Sequence, residues 1–211
     1  VSEPSGLDVS SHWFDPLRVA MARVRIDPVP DAIALQAALG DRIAPFVFEV
    51  QRGKRGRRAV DAEAIYEVRI ARRQRIPTRA HVHDLMNALV WATFPESKRV
   101  IAERQHAALI AQVGERPTAL PNARTRERDV LAMIDEGGVV ITEGGAVVIG
   151  HAIYEHLATK GTPVRGFPIR PTSPSDTLDG ALADTLRTFD ASSASPMAVR
   201  IARTSASIDT D

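Results

Sequence analysis

The residue types best suited to chemistry are concentrated in IPTRAHVHDLMNALVWATFPESK, residues 76–98. His81, His83, Asp84 and Asn87 come first, then Trp91, Ser97 and Lys98. If residues 82–93 are helical, His83 and Asn87 stand four apart and share a face, with Asp84 beside His83. The remaining positions are mostly Leu, Met, Ala, Val and Trp. Such a helix must be largely buried, and its narrow polar strip must find partners on other elements. One reading is structural: Asp84 caps the helix or pairs with Arg79, Asn87 bonds a loop, and a neutral His83 donates to a carbonyl. The other makes His83 and Asp84 metal ligands or an acid–base pair, oriented by Asn87. His81 precedes the helix and is less constrained.

A second set lies in GHAIYEHL, residues 150–157. His151 and Glu155 form an i,i+4 pair, while His156 points elsewhere. The pair can donate two metal ligands, although the stronger HExxH pattern is absent from the chain. Gly150 permits close backbone approach just before it. RERDVLAMIDEGG, residues 126–138, is expected to place Arg128 and Asp129 before a strand and Asp135 and Glu136 at its end. Carboxylates there are either turn residues or donors to a divalent cation. Arg128 can grip a phosphate oxyanion or neutralise Asp129 or Asp84.

If the two histidine helices meet, His83, Asp84, His151 and Glu155 make a nitrogen- and oxygen-rich ligand set suited to zinc, iron or manganese. A metal-bound water would be the nucleophile of a hydrolysis, Asp135 or Glu136 its proton acceptor, and Arg79 and Lys98 the clamps on an anion. Metal–nitrogen bonds are near 2 Å, so histidines more than about 8 Å apart could not share one ion.

These groups need a scaffold, and 211 residues with 44% hydrophobic side chains supply one ordinary domain. Aromatics are only 5%, so the core is mostly Ala, Val, Leu and Ile in closely packed helices. Pro16 suits the first turn of a helix over 17–26, and Asp31 caps a second that Gly40 stops at Leu39. FVFEVQ (46–51) reads as a strand. EAIYEVRIA (63–71) alternates like a strand but carries helix-favouring Ala and Glu. Helices are expected over 82–93, 96–112, 151–161 and 177–189. Residues 130–150 read as two or three short strands in which EGG, at 136–138 and again at 143–145, forms tight turns. VRGFPI (164–169) reads as an edge-type strand or a loop strand. The expectation is an α+β fold: a helical core around a central polar-lined helix, with a small antiparallel β-meander. Residues 1–11 form a flexible arm, 12–190 one domain, and 191–211 a mobile tail or a final edge strand.

The formal net charge is +1, so no global field steers the chain to nucleic acid or anionic membranes. Basic residues do cluster locally, at Arg52, Lys54, Arg55, Arg57 and Arg58, and again through 69–79. The absence of cysteine excludes disulfides, thiolate nucleophiles and Cys-ligated metals, and it suits a reducing cytoplasm. No stretch reaches the roughly 18 apolar residues of a membrane span, and residues 1–16 hold no signal-peptide core. A GxSxG elbow is also lacking.

Three segments together resemble the uncharacterised bacterial proteins called domain of unknown function 3025: residues 76–105, 126–141 and 150–157, in that order and spacing. The resemblance extends over about 60–190. It implies that Pro77, Thr78, Arg79, His83, Asp84, Asn87, Trp91, Pro95, Lys98, Gln105, Arg128, Asp129, Asp135, Glu136, Gly150, His151 and Glu155 belong to one unit. This chain departs from the pattern at Met86, Gly137, Glu103 and Arg104, none of them a candidate ligand. The resemblance brings no activity with it.

Three functions are therefore in view. The first is a metal-dependent hydrolase of a small phosphorylated or acyl substrate. The second is a non-catalytic scaffold or binding protein whose polar cluster is a buried network. The third is a nucleic-acid-binding module using residues 52–58 and 69–79, against which the neutral charge and scarce aromatics weigh. The oligomeric state is not written in the sequence.

Overall fold

A computed structural model describes residues 6–51, 65–114, 123–191, 198–203 and 205–208. The basic cluster Arg52, Lys54, Arg55, Arg57 and Arg58 lies outside them, as do parts of both termini.

The central element is helix α4, Val82–Thr93. It starts where the His81 side chain accepts a hydrogen bond from the His83 amide, and every residue from Asp84 to Ala92 is buried. Helix α5, Pro95–Val113, follows after Phe94 alone, with Pro95 in the first position, where its missing N–H costs nothing. The cap of α5 comes from a distant element. The Asp179 carboxylate accepts from the amides of Glu96 and Ser97 and from the Ser97 hydroxyl. Asp179 belongs to α8, Leu178–Thr188. Ser97 is thus structural, binding α5 to α8.

Segment 126–138 is a helix and not the expected strand: α6 spans Arg126–Gly137, capped by Thr125, whose side chain accepts from the Arg128 amide. Arg128, Leu131 and Ile134 are buried at three-residue spacing while Met133 is exposed, a one-sided helical pattern. Glu, Arg, Leu, Ala and Met also favour helix locally. The first EGG accordingly ends a helix. The second supplies the two-residue turn, Glu143 and Gly144, between β3, Gly138–Thr142, and β4, Gly145–Val148, whose first residue Gly145 takes φ 127°.

Helix α7, His151–Thr159, then leads to β5, Val164–Ile169. The sheet has five strands in the order β4-β3-β5-β6-β7, with β6 at Val199–Ile201 and β7 at Ala206–Ile208. It is mixed, because β3 and β5 run parallel with Val139 opposite Pro168, while the other pairs are antiparallel. The expected antiparallel meander is therefore only one end of a larger sheet, and β5 is an interior strand. The chain returns along β4 before α7, and that return is what lets β5 run parallel to β3.

A separate pair joins β1, Val47–Val50, in parallel to β2, Arg75–Thr78. Between them lies α3, Tyr66–Arg73, so the ambiguous 63–71 segment is helical from residue 66. Strand β2 was not legible because it contains Pro77, which a strand with one partner tolerates. Helix α2, Ala32–Ile43, runs through Gly40 instead of stopping there. The proposed helix at 17–26 is a 3-10 segment, His12–Leu17, continued by the short α1, Arg18–Met21. The chain is an α+β fold whose main apolar core includes Trp13, Leu35, Leu89, Ile134, Val139 and Leu182, with a smaller cluster of Ile65, Val68 and Leu109 beside α3 and α5. No helix among the described residues is long and apolar enough to cross a membrane.

Candidate functional site

Helices α4 and α7 cross so that their histidines meet. Nε2 of His83 lies 3.1 Å from Nε2 of His151, and the rings are edge-on at 75° with centroids 4.6 Å apart. The far side of each ring is also engaged. Nδ1 of His83 is 2.8 Å from Oε2 of Glu155, and Nδ1 of His151 is 2.7 Å from the backbone carbonyl oxygen of Asp135.

Gly150 makes this crossing possible. A Cβ there would fall 2.5 Å from the Glu136 carbonyl oxygen and 2.6 Å from both Gly137 Cα and Gly138 N. All three are backbone atoms. The start of α7 is pressed against the end of α6, which delivers the Asp135 carbonyl to His151.

Proton bookkeeping follows from these contacts. A carbonyl oxygen only accepts, so Nδ1 of His151 carries the hydrogen and its Nε2 is a lone pair. Nδ1 of His83 faces a carboxylate and donates to it whenever Glu155 is ionised. Two Nε2 lone pairs then face each other, and an electrophile must lie between them. A proton can do this, and so can a metal cation. Two nitrogens on one tetrahedral ion stand roughly 3.3 Å apart, given bonds of about 2.0–2.1 Å. Burial, aided by the positive charge of Lys98, pushes His151 down to about 4. Its Nε2 therefore holds no proton of its own at neutral pH and remains an acceptor.

Behind the histidines runs a buried polar chain. Lys98, only 4% exposed, is ion-paired with Asp135 and donates to Oδ1 of Asn87 at 2.8 Å. Nδ2 of Asn87 donates in turn to the Tyr66 hydroxyl at 3.1 Å. Burial alone would raise the Asp135 carboxyl, but Lys98 and then His151 hold it below its ordinary value. Burial, with Asp135 adding to it, raises the Tyr66 phenol, which stays neutral.

A cleft of about 260 Å³ opens on this assembly, lined by His83, His151, Asp135, Asn87 and Tyr66 together with Arg79, Glu67 and Glu136. Asp84 lies in its wall but is held by Arg79, whose backbone N and Nε approach Oδ2 at 2.7 and 3.3 Å. Arg128 pairs with Glu67 at 3.1 Å, and not with Asp129 or Asp84 as the sequence suggested. Its buried Nε meets no hydrogen-bond partner among the described residues.

The expected site residues therefore separate. His83, His151, Glu155, Asp135, Asn87 and Lys98 form one connected set. Asp84 is turned to Arg79, and Glu155 takes the outer nitrogen of His83, so these carboxylates do not join the nitrogens at one point. Among the described residues, no three His, Cys, Asp or Glu side chains converge as a ready metal-binding group. Lys98 lies behind Asp135 and Asn87 and does not line the cleft. Asp129 faces a neighbouring groove instead. In the basic 69–79 segment, Arg69 is ion-paired with Glu49, and Nε of Arg72 donates to Nε2 of His106 at 3.2 Å. Sequence reasoning missed Tyr66 and Glu67. Their only signal was the helix-favouring composition of 63–71, which gave no reason to direct them toward α4 and α6.

Fold and cleft together define an α+β protein with a two-histidine polar site. Residues 55–146 match the model of the family described as Protein of unknown function (DUF3025), which this chain resembles. That span contains α3, β2, α4, α5, α6 and β3; His151 and Glu155 lie beyond it. No curated protein and no solved structure matches the chain.

Proposed function

We propose that the cleft is the active site of a metal-dependent hydrolase acting on a small phosphorylated or acyl substrate. The observation that supports it is the pair of Nε2 atoms 3.1 Å apart, each on a ring whose other nitrogen is fixed by an oxygen acceptor. Metal-binding histidines are usually oriented in this way, by a carboxylate or a carbonyl. In this reading His83 and His151 are the protein's ligands, with water and substrate oxygens completing the sphere. Glu155 and the Asp135 carbonyl are outer supports. Zinc, iron or manganese would lower the pKa of a bound water and polarise the scissile group. The Asp135 carboxylate, kept ionised by Lys98, accepts a hydrogen bond from that water and orients it. Arg79, exposed at the rim, meets the anionic part of the substrate. We assign the activity to the cytoplasm, which the cysteine-free composition suits.

The test begins with elemental analysis of untagged protein, followed by titration of the metal-free form with Zn²⁺, Mn²⁺ and Fe²⁺. About one metal per chain is expected, lost in His83→Ala/His151→Ala with the fold intact. Hydrolysis of p-nitrophenyl phosphate or p-nitrophenyl acetate should require that metal. Folded protein that takes up none of the three ions would end the proposal.

A second reading, the scaffold with a buried network, draws on the chain Asp135–Lys98–Asn87–Tyr66, in which each polar head has a partner. Satisfied networks of this kind fix packing. It expects His83→Ala to lower the melting temperature while no metal and no substrate bind.

A further inference from the structure

The cleft adjoins a much larger groove of different character. That groove, about 1190 Å³, runs between α6, α7 and β5. Arg124, Ala132 and Glu136 line both spaces, so they adjoin along one face of α6. Val130, Met133, Ile153, Val164 and Phe167 give the groove an apolar strip, flanked by polar lining residues that include Arg126, Asp129, His156 and Arg165. Met133 leaves 48% of its surface in water there, an unbranched side chain that adapts to varied apolar shapes.

We propose that this groove holds the hydrocarbon chain of a fatty-acyl ester whose carbonyl sits at the His83–His151 cleft. The inference rests on the hydrolytic reading of the cleft and narrows its substrate to the acyl class. Size supports it. The cleft, at about 260 Å³, falls just short of the pockets of whole drug-sized ligands, about 300–1,000 Å³. The adjoining groove exceeds that range, and the larger share of its lining is apolar. The Arg124 guanidinium at the junction gives the product carboxylate a cationic neighbour. In the reaction, a water oxygen bonds to the acyl carbon and the ester C–O bond breaks. The leaving alkoxide takes a proton from the water, giving a fatty acid and an alcohol.

The experiment measures octanoate, decanoate and dodecanoate binding to the full chain by calorimetry, below their micelle concentrations. Each added methylene should tighten binding about two- to fourfold, since complete burial of one is worth a factor near four. Ala152→Trp, which fills the groove, and Met133→Lys, which charges its wall, should each weaken dodecanoate at least tenfold with unchanged circular dichroism. Val19→Lys, another exposed apolar position away from the groove, should leave binding unaltered. Affinity independent of chain length, or insensitive to both groove variants, overturns the proposal. So does a concentration-dependent dimer that Met133→Lys dissociates, because the groove would then be an interface between copies. The two levels separate cleanly. Turnover of p-nitrophenyl acetate with no preference for longer chains sinks the groove assignment and leaves the hydrolase. Length-dependent binding, weakened by the groove variants, without hydrolysis of any ester sinks the hydrolase, and with it the scissile carbonyl, and leaves only a fatty-acid site.

Discussion

His83 and His151, 68 residues apart in sequence, bring their Nε2 atoms to 3.1 Å while Glu155 and the Asp135 carbonyl occupy their Nδ1 atoms. Two helices therefore bring two ring nitrogens close enough to share one proton or one cation. Glu155 should matter to that shared position without touching it. Glu155→Gln keeps the shape but removes the charge that makes His83 a strong donor ligand. Metal affinity is expected to fall about 10- to 100-fold, the usual effect of losing an outer partner. Competition with a chromogenic chelator measures it, and an unchanged affinity would remove Glu155 from the site.

Lys98 and Asp135 should behave as a unit. Lys98→Met strands a largely buried carboxylate and is expected to cost about 3–5 kcal/mol in urea unfolding. Lys98→Met/Asp135→Leu removes both charges and should recover most of that loss. A double variant as unstable as the sum of its single changes would show that the two side chains act independently.

The stability of the metal-free protein should depend on pH through His151. Its folded value is held at about 4, against about 6.5 in the unfolded chain. Between those values the unfolded state binds more protons than the native one. Stability from this group is complete above pH 6.5 and declines as pH falls toward 4, by about 3 kcal/mol in all. Asp135, lowered in the native state, adds a loss in the same direction below its unfolded value near pH 3.9. Lys98, Asp135 and His83 are the charged or titratable groups acting on the His151 ring. Urea midpoints from pH 7.5 to 4.5, in a chelating buffer, should slope less steeply in His151→Gln than in the parent. Parallel slopes would refute the assignment.

The parts of this site that could be read from the sequence were those whose signals are local. Helix α4 was legible to its ends because a continuous apolar run leaves only His83, Asp84 and Asn87 polar, and the same kind of spacing exposed His151 and Glu155. Helix α6 was mistaken for a strand because IDEGGVVITEGG concentrates turn signals around Gly137 and hid the helical spacing of Arg128, Leu131 and Ile134. The roles of the carboxylates were hidden for another reason. Whether Glu155 ligates a metal or supports His83 depends on which nitrogen it meets, and that is set by how α4 crosses α7. Asp84 was equally suited to a metal or to Arg79 until the β2–α4 connection placed the Arg79 amide over it. Tyr66 entered the network through a contact across 21 residues, and no spacing rule reaches that far.

Gly150 is the position where that crossing can be tested with one methyl group. In Gly150→Ala the new Cβ would meet the Glu136 carbonyl oxygen, Gly137 Cα and Gly138 N, all closer than 3.0 Å. Backbone cannot rotate aside as a side chain can, so α7 must move away from the end of α6. Overpacking of this kind costs about 1–3 kcal/mol. The displacement also carries His151 away from the Asp135 carbonyl and from His83. Gly150→Ala should therefore lower both the melting temperature and the metal affinity. Gly137→Ala, on the facing end of α6 with open space around its Cβ, should do far less to either. Equal effects from the two substitutions would mean that the close approach at Gly150 does not set the histidine pair.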